Sequence, residues 1–189
     1  NNSPSILILG DNLLYGNLLE KTLQEYSQKQ YGATIFLQKV RDPKRFCVAK
    51  FNDDNQIIDL IEKPTNNNDN LAVIGLYFFD EFAPLYAREL EKSGRGEFEI
   101  TDLNKKYLSK GKLNFDIFGR GYTWLDMGTF ESLYESQSFV SILQNKQGHK
   151  IACLEEISLY KNWISKEDLN KKIDIYSNEY GKYLKSISR

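Results

Sequence analysis

The chain has 189 residues, 41% hydrophobic and 27% charged, with a formal net charge of −1. That length carries one domain with a sizeable core, and the composition is ordinary for a globular protein. The near-neutral balance leaves no basic footprint for nucleic acid or an anionic membrane surface, and no apolar run reaches the length of a membrane-spanning helix.

Ile6-Leu7-Ile8-Leu9 is a run of branched apolar residues. It reads as a buried strand of a parallel sheet, because such strands are covered on both faces. Gly10-Asp11-Asn12 follows at its carboxyl end, where open α/β sheets meet their ligands. Gly10 lets backbone approach a ligand closely, and Asp11 stands where a ligand or metal would be met. The alternative is a strand followed by a simple Asx turn. The chain starts at Asn1 and its single methionine is Met127. With a parallel-type strand at the very beginning, the expectation is that further sequence precedes Asn1.

Gly16 to Gln30 reads as a helix, with Leu18, Leu19, Thr22, Leu23 and Tyr26 at helical spacing and Gly32 as its stop. Ala33 to Val40 is a strand, and Asp42-Pro43-Lys44-Arg45 a turn. Phe46 to Phe51 and Ile57 to Ile61 form a hairpin around Asn52-Asp53-Asp54-Asn55, closed by Glu62-Lys63-Pro64. Thr65 to Asn70 is a polar loop. Leu71 to Phe79 is a strongly apolar strand, Glu81 to Lys92 a helix ended by Ser93-Gly94-Arg95-Gly96, and Glu99 to Ser109 another helix. Leu113 to Phe118 and Tyr122 to Leu125 are strands flanking Gly119-Arg120-Gly121. Helices follow from Phe130 to Asn145, from Leu154 to Lys161, from Ser165 with Asp168 at the capping-box position, and from Tyr180 to Ile187. The alternation of strands and helices predicts an α/β fold with a Rossmann-like mixed sheet and a C-terminal helical segment. Residues 1–128 form the sheet part, and 129–189 the helical region of the same domain.

Asp11 and Asp126 each stand just after an apolar strand, and a hard cation such as Mg²⁺ takes one or two carboxylates plus substrate phosphates. They form a pair only if the sheet joins the two strand ends. Glu62 and Lys63 are neighbours, so both can serve one ligand only if the strand has ended between them. Glu62 could then accept from sugar hydroxyls and Lys63 meet a phosphate; otherwise they are a surface ion pair. Arg95, between two glycines, is a second phosphate candidate or a solvated helix end. Cys47 and Cys153 are isolated thiols without metal-ligand spacing and fit a reducing cytoplasm. His149, the single histidine, lies in a polar turn.

Leu9-Gly10-Asp11-Asn12, Glu62-Lys63-Pro64, Gly75-Leu76-Tyr77, Arg95-Gly96-Glu97 through Glu99-Ile100-Thr101-Asp102, and Gly119-Arg120-Gly121 through Trp124-Leu125-Asp126 follow one another in one order. Together, and with Glu155-Glu156-Ile157 and Tyr180-Gly181-Lys182-Tyr183-Leu184, they make the chain resemble the glucose-1-phosphate thymidylyltransferases, sugar nucleotidyltransferases of dTDP-rhamnose synthesis. The resemblance implies transfer of a thymidylyl group from dTTP to glucose 1-phosphate, in a cytoplasmic homo-oligomer, a dimer or tetramer. By the same likeness Asp11 and Asp126 hold Mg²⁺, Glu62 the sugar hydroxyls, and Lys63 and Arg95 the sugar phosphate. Val73 and Tyr77 line the sugar pocket, with Leu9 and Asn12 beside it. A regulatory nucleotide site involves Tyr15, Gly16, Arg120, Glu156 and Ile157.

The chain departs from the family pattern at four places. Cys47 replaces a glycine that offers its backbone to the sugar, Met127 a threonine after the metal aspartate, and Tyr160 an arginine near the regulatory site. The Gly-x-Gly-Thr-Arg loop that cradles the triphosphate in the family is not among the 189 residues. Such a loop supplies backbone N–H groups to phosphates, so the chain alone is expected to be inactive. Two rivals stand beside this reading: a uridylyltransferase or other sugar-1-phosphate nucleotidyltransferase of the same fold, and a non-catalytic oligomerisation fragment.

Overall fold

The computed structural model describes residues 3–29, 31–65 and 69–188. The end expected for the first helix at Gln30 and the middle of the polar loop after Thr65 lie outside them. The described residues fall into two compact units, Asn1–Ser132 and Leu133–Arg189.

The first unit is built on a six-stranded sheet. Its strands are β1 (Ser5–Ile8), β3 (Ala33–Lys39), β4 (Cys47–Phe51), β5 (Ile57–Glu62), β6 (Leu71–Phe79) and β7 (Leu113–Ile117), in the order β5-β4-β6-β3-β7 with β1 also on β6. β3 and β7 run parallel and the other pairings are antiparallel, so the sheet is mixed as expected. β2 (Asn12–Gly16) and β8 (Tyr122–Asp126) form a separate antiparallel ribbon.

β6 is apolar along its whole length because both of its faces are covered. Val73, Tyr77 and Phe79 join Ile35 and Leu37 of β3 on one side. There they pack with Ala83 and Tyr86 of α2 (Ala83–Arg88) and Leu103 and Tyr107 of α3 (Ile100–Ser109). Ile74, Leu76 and Phe78 join Phe36 on the other side. That face is covered by Leu19, Leu23 and Tyr26 of α1 (Leu19–Ser27) and by Leu14, Tyr122 and Trp124 of the ribbon. The buried Asp80 carboxylate ends β6, accepting from Gly32 N–H (3.0 Å), Phe82 N–H (3.0 Å) and Tyr107 O–H (2.6 Å).

Three expectations are corrected. β1 is neither parallel nor buried: it pairs antiparallel with β6, and all four of its residues are exposed. A short apolar run records only that a strand is apolar, not which strands lie beside it. Residues 12–16, partly read into the first helix, form β2, and α1 starts only at Leu19. α2 stops at Arg88 rather than running to Lys92, and Glu89 just beyond it is pinned by Lys106. The other expected strands and helices are present within a residue or two at each end.

The second unit holds α5 (Leu154–Tyr160), α6 (Lys166–Ile173) and α7 (Glu179–Ile187), with α4 (Phe130–Gln147) leading into it. Cys153, Leu169, Ile173 and Leu184 form its core. Ser165 and Asp168 make the expected capping box at the start of α6. Glu155 accepts from the hydroxyls of Tyr176 (3.1 Å) and Tyr180 (2.5 Å), and Glu156 from Tyr183 (2.7 Å).

Candidate active site

The ribbon joins the two aspartates. Asn12 of β2 lies opposite Asp126 of β8, and the backbone N–H of Met127 donates to the carbonyl of Asp11 at 2.8 Å. Both carboxylates border Gly128: a Cβ there would lie 3.4 Å from Asp126 Oδ1 and 3.8 Å from Asp11 Oδ2. So residues 115 apart in sequence present their oxygens to one small open space. Among the described residues no group of three or more histidines, cysteines and carboxylates is disposed to hold a metal. A pair of carboxylates beside open space fits Mg²⁺, which keeps several waters and uses substrate phosphates as further ligands.

Asn12 organises this corner. Its Oδ1 accepts from Gly75 N–H of β6 (3.1 Å) and from Trp124 Nε1–H of β8 (2.5 Å), and its Nδ2 donates to Asp11 Oδ1 (2.8 Å). One side chain therefore ties the sheet to the ribbon and aims the first aspartate. Gly75 is required by this contact, because a Cβ there would lie 2.5 Å from Asn12 Oδ1. Asp126 is held in turn by Arg45, whose Nη2 is 2.8 Å from Asp126 Oδ2.

Next to the aspartates is a cleft of about 160 Å³. Val73, Gly75 and Tyr77, alternate residues of β6, share the face of the strand that lines it. Leu9, Cys47, Glu62, Thr101 and Trp124 also line it, and Phe46 packs at a tilt against Trp124 with ring centroids 4.9 Å apart. The hydroxyl of buried Thr101, in the first turn of α3, donates to Glu62 Oε2 at 2.7 Å and fixes that carboxylate toward the cleft. Burial pushes the Cys47 thiol up to about 12, with its hydrogen bond to Thr101 acting the other way, so the thiol is neutral. Burial is also the main cause that raises the Tyr77 phenol, which is neutral as well.

A second cleft, of about 300 Å³, shares Glu62 and Thr101 with the first and adds Lys63, Ser93, Arg95 and Lys105. The backbone lets two adjacent residues line one cleft. β5 ends at Glu62, and Lys63 takes φ +46°, with its N–H on the carbonyl of Phe46 at 3.0 Å. A non-glycine residue in this region is held against a conformational cost of about 1–3 kcal/mol, a form of strain that clusters at functional positions. Arg95 pairs with Glu97 (2.9 Å) and Glu99 (3.7 Å), at the edge of the same cleft.

Leu9, Asp11, Asn12, Cys47, Glu62, Val73, Tyr77 and Asp126 thus gather around the first cleft, and Lys63 and Arg95 around the second. Tyr15 and Gly16 sit at the other end of the ribbon, about 10 and 13 Å along β2 from Asn12 at the usual strand rise. Arg120 is exposed in the turn before β8. Glu156 and Ile157 belong to the second unit, on α5. The sequence reading gave no role to Arg45, Phe46, Gly75, Thr101 or Trp124. Gly75, Thr101 and Trp124 stood inside the family-like stretches, which was a signal for them. Nothing in the turn at Asp42-Pro43-Lys44-Arg45 announced a partner 81 residues away.

The model of the nucleotidyl transferase family matches residues 1–142. A glucose-1-phosphate thymidylyltransferase from Xanthomonas campestris pv. campestris is 44% identical over 98% of this chain and 63% of its own length. One from Neisseria meningitidis serogroup A is 45% identical over 97% of this chain and 64% of its own. The chain therefore spans a little under two thirds of these relatives. A Bacillus anthracis crystal structure assigned as a glucose-1-phosphate thymidylyltransferase, in complex with a sucrose, superposes with a TM-score of 0.64 at 36% identity. It covers 73% of this chain and 55% of that one. A UDP-glucose pyrophosphorylase shares the fold, with a TM-score of 0.62 at 22% identity over 73% of this chain and 54% of that one.

Proposed function

The chain belongs to the nucleotidyl transferase family, and from that premise we propose that its paired clefts are the sugar-phosphate and metal side of a glucose-1-phosphate thymidylyltransferase. The reaction is attack by a phosphate oxygen of glucose 1-phosphate on the α-phosphorus of dTTP. A new P–O bond forms, the bond to the β-phosphate breaks, and pyrophosphate leaves with dTDP-glucose as product. The product would feed dTDP-rhamnose synthesis. The observation that carries the reading is the junction of the two clefts at Glu62, which puts a sugar-sized pocket between two carboxylates and two cations.

Each residue has a task in this scheme. Glu62, oriented by Thr101, accepts from hydroxyls of the hexose. Leu9, Val73 and Tyr77 give it apolar walls, and the neutral Cys47 thiol adds a wall where the family has none. Lys63 leaves the end of β5 at a strained turn and, with Arg95, offers charge to the phosphate, Lys63 as a point charge and Arg95 as a fork. Arg95 reaches it by exchanging Glu97 and Glu99 for the phosphate. Asp11 and Asp126 would hold Mg²⁺, which when bound offsets the negative charge of the reacting phosphates. The protein's own work is positioning and charge neutralisation.

The 189 residues contain no Gly-x-Gly-Thr-Arg loop, so we propose that on their own they bind glucose 1-phosphate but release no pyrophosphate. No helix among the described residues is long and apolar enough to cross a membrane. The free thiols Cys47 and Cys153 suit a reducing cytoplasm. Assembly into a homodimer or homotetramer, and control by a nucleotide near Tyr15, Gly16, Arg120, Glu156 and Ile157, are carried by the family likeness alone.

Isothermal titration with glucose 1-phosphate, glucose and inorganic phosphate tests the reading. Saturable binding of glucose 1-phosphate in preference to the other two, with no pyrophosphate release from dTTP or UTP, is the expected result. Release from UTP in place of dTTP would favour a uridylyltransferase. No preference among the three ligands would favour a non-catalytic fragment.

A further inference from the structure

Arg45 lies on the short 3-10 turn Pro43–Arg45, anchored by buried Pro43 and capped by the Asp42 side chain. From there its Nη2 reaches Asp126 Oδ2 at 2.8 Å, and its guanidinium lies 5.4 Å from the Phe46 ring centroid. Phe46 packs on Trp124, Trp124 bonds Asn12, and Asn12 bonds Asp11. The guanidinium is thus the cation on a carboxylate pair that otherwise carries two negative charges side by side. The Asp126 side chain is 20% exposed, so its charge is partly stripped of water, whereas that of Arg45 is 42% exposed and has room to swing away.

We propose that Arg45 is a tethered counter-cation of the Asp11–Asp126 pair, held in place of a divalent ion and displaced when one binds. The proposal rests on the reading of that pair as the metal site. A divalent ion sits about 2.1 Å from its carboxylate oxygens. With the guanidinium on Oδ2 the two cations would face each other across one carboxylate, and their repulsion drives the arginine off. Released at the rim of the cleft it lines, Arg45 presents its fork to an entering phosphate. Arg45 is in this sense a positioning residue that couples arrival of the metal to a free guanidinium.

The test is binding of Mn²⁺ alone to the chain, read as loss of the free-ion signal in electron paramagnetic resonance. The expected result for Arg45→Gln is tighter Mn²⁺ binding, by roughly threefold to tenfold, from the usual strength of a partly exposed ion pair plus relief of cation–cation repulsion. Arg45→Lys keeps the charge but loses the fork and falls between the two. It also carries the test if Arg45→Gln does not fold. Asp126→Asn weakens binding with either residue at 45. Unchanged or weaker Mn²⁺ binding in the Arg45 variants, with Asp126→Asn still weakening it, overturns the proposal and leaves the metal site standing. Mn²⁺ binding indifferent to Asp126→Asn overturns both.

Discussion

Gly75→Ala probes the corner on which the site depends. The new Cβ would lie 2.5 Å from Asn12 Oδ1, 2.7 Å from its Cγ and 3.0 Å from its Nδ2. Cγ is not a free side-chain end, and three hydrogen bonds hold the amide where it is. Asn12 must therefore leave, giving up its bonds to Gly75, Trp124 and Asp11. At about 1 kcal/mol for each bond, less about 0.5–1 kcal/mol that alanine gains over glycine in a strand, the net loss is about 2–2.5 kcal/mol. For a chain of this size that lowers the melting temperature by about 5–10 °C. Circular dichroism melts of the wild type, Gly75→Ala, Asn12→Ala and the double variant separate the causes. With the carboxamide gone the added methyl meets little, so Gly75→Ala in the Asn12→Ala background is expected to cost less than about 0.5 kcal/mol. Equal costs in both backgrounds would mean that the clash is not with Asn12 and that the carboxamide does not hold this corner.

Lys63→Ala should weaken binding of glucose 1-phosphate by about tenfold to a hundredfold, the usual value of a charge-assisted contact, with the melting temperature held, since alanine keeps a Cβ at the same positive φ. Titration calorimetry measures the first and a thermal melt the second; unchanged affinity would remove Lys63 from the phosphate. Asp80→Ala leaves the N–H groups of Gly32 and Phe82 and the hydroxyl of Tyr107 without their shared acceptor, and should cost about 3 kcal/mol in urea unfolding. The hydroxyl of Tyr180, and after it the Glu155 backbone N–H and the hydroxyl of Tyr176, hold the Glu155 carboxyl below its ordinary value of 4.5 against the opposing effect of burial. A carboxyl lowered on folding contributes stability above its unfolded value and loses it as pH falls through its folded one. Melts between pH 6 and about pH 3 should therefore fall more steeply for the wild type than for Glu155→Gln, and parallel curves would contradict that role.

The elements legible in the sequence were those whose signal is local. β6 announced itself by nine consecutive residues dominated by apolar side chains, the hairpin of β4 and β5 by its Asn- and Asp-rich turn, and α6 by its capping box. The positions of Asp11 just past β1 and of Asp126 at the end of β8 were also legible. Their union was not, because the ribbon that joins them pairs strands more than a hundred residues apart. For the same reason β2 was partly absorbed into the helix beside it. β1 was misread because an apolar run does not state which strand it pairs with or whether both faces are covered. The left-handed turn at Lys63 was invisible, since lysine gives no sign of positive φ; only the proline after it marked a strand end. Arg45 and Thr101 escaped because their partners, Asp126 and Glu62, are distant in sequence.

In the proposed function one site gathers the sugar phosphate and the divalent ion. The most direct measurement is the ³¹P relaxation rate of glucose 1-phosphate with the chain and a trace of Mn²⁺, compared with the same mixture lacking the chain. Relaxation should be faster when the wild-type chain is present, and the gain should be lost in Asp126→Asn and in Lys63→Ala. Relaxation that the chain does not enhance, or an enhancement that survives both substitutions, would contradict a shared site.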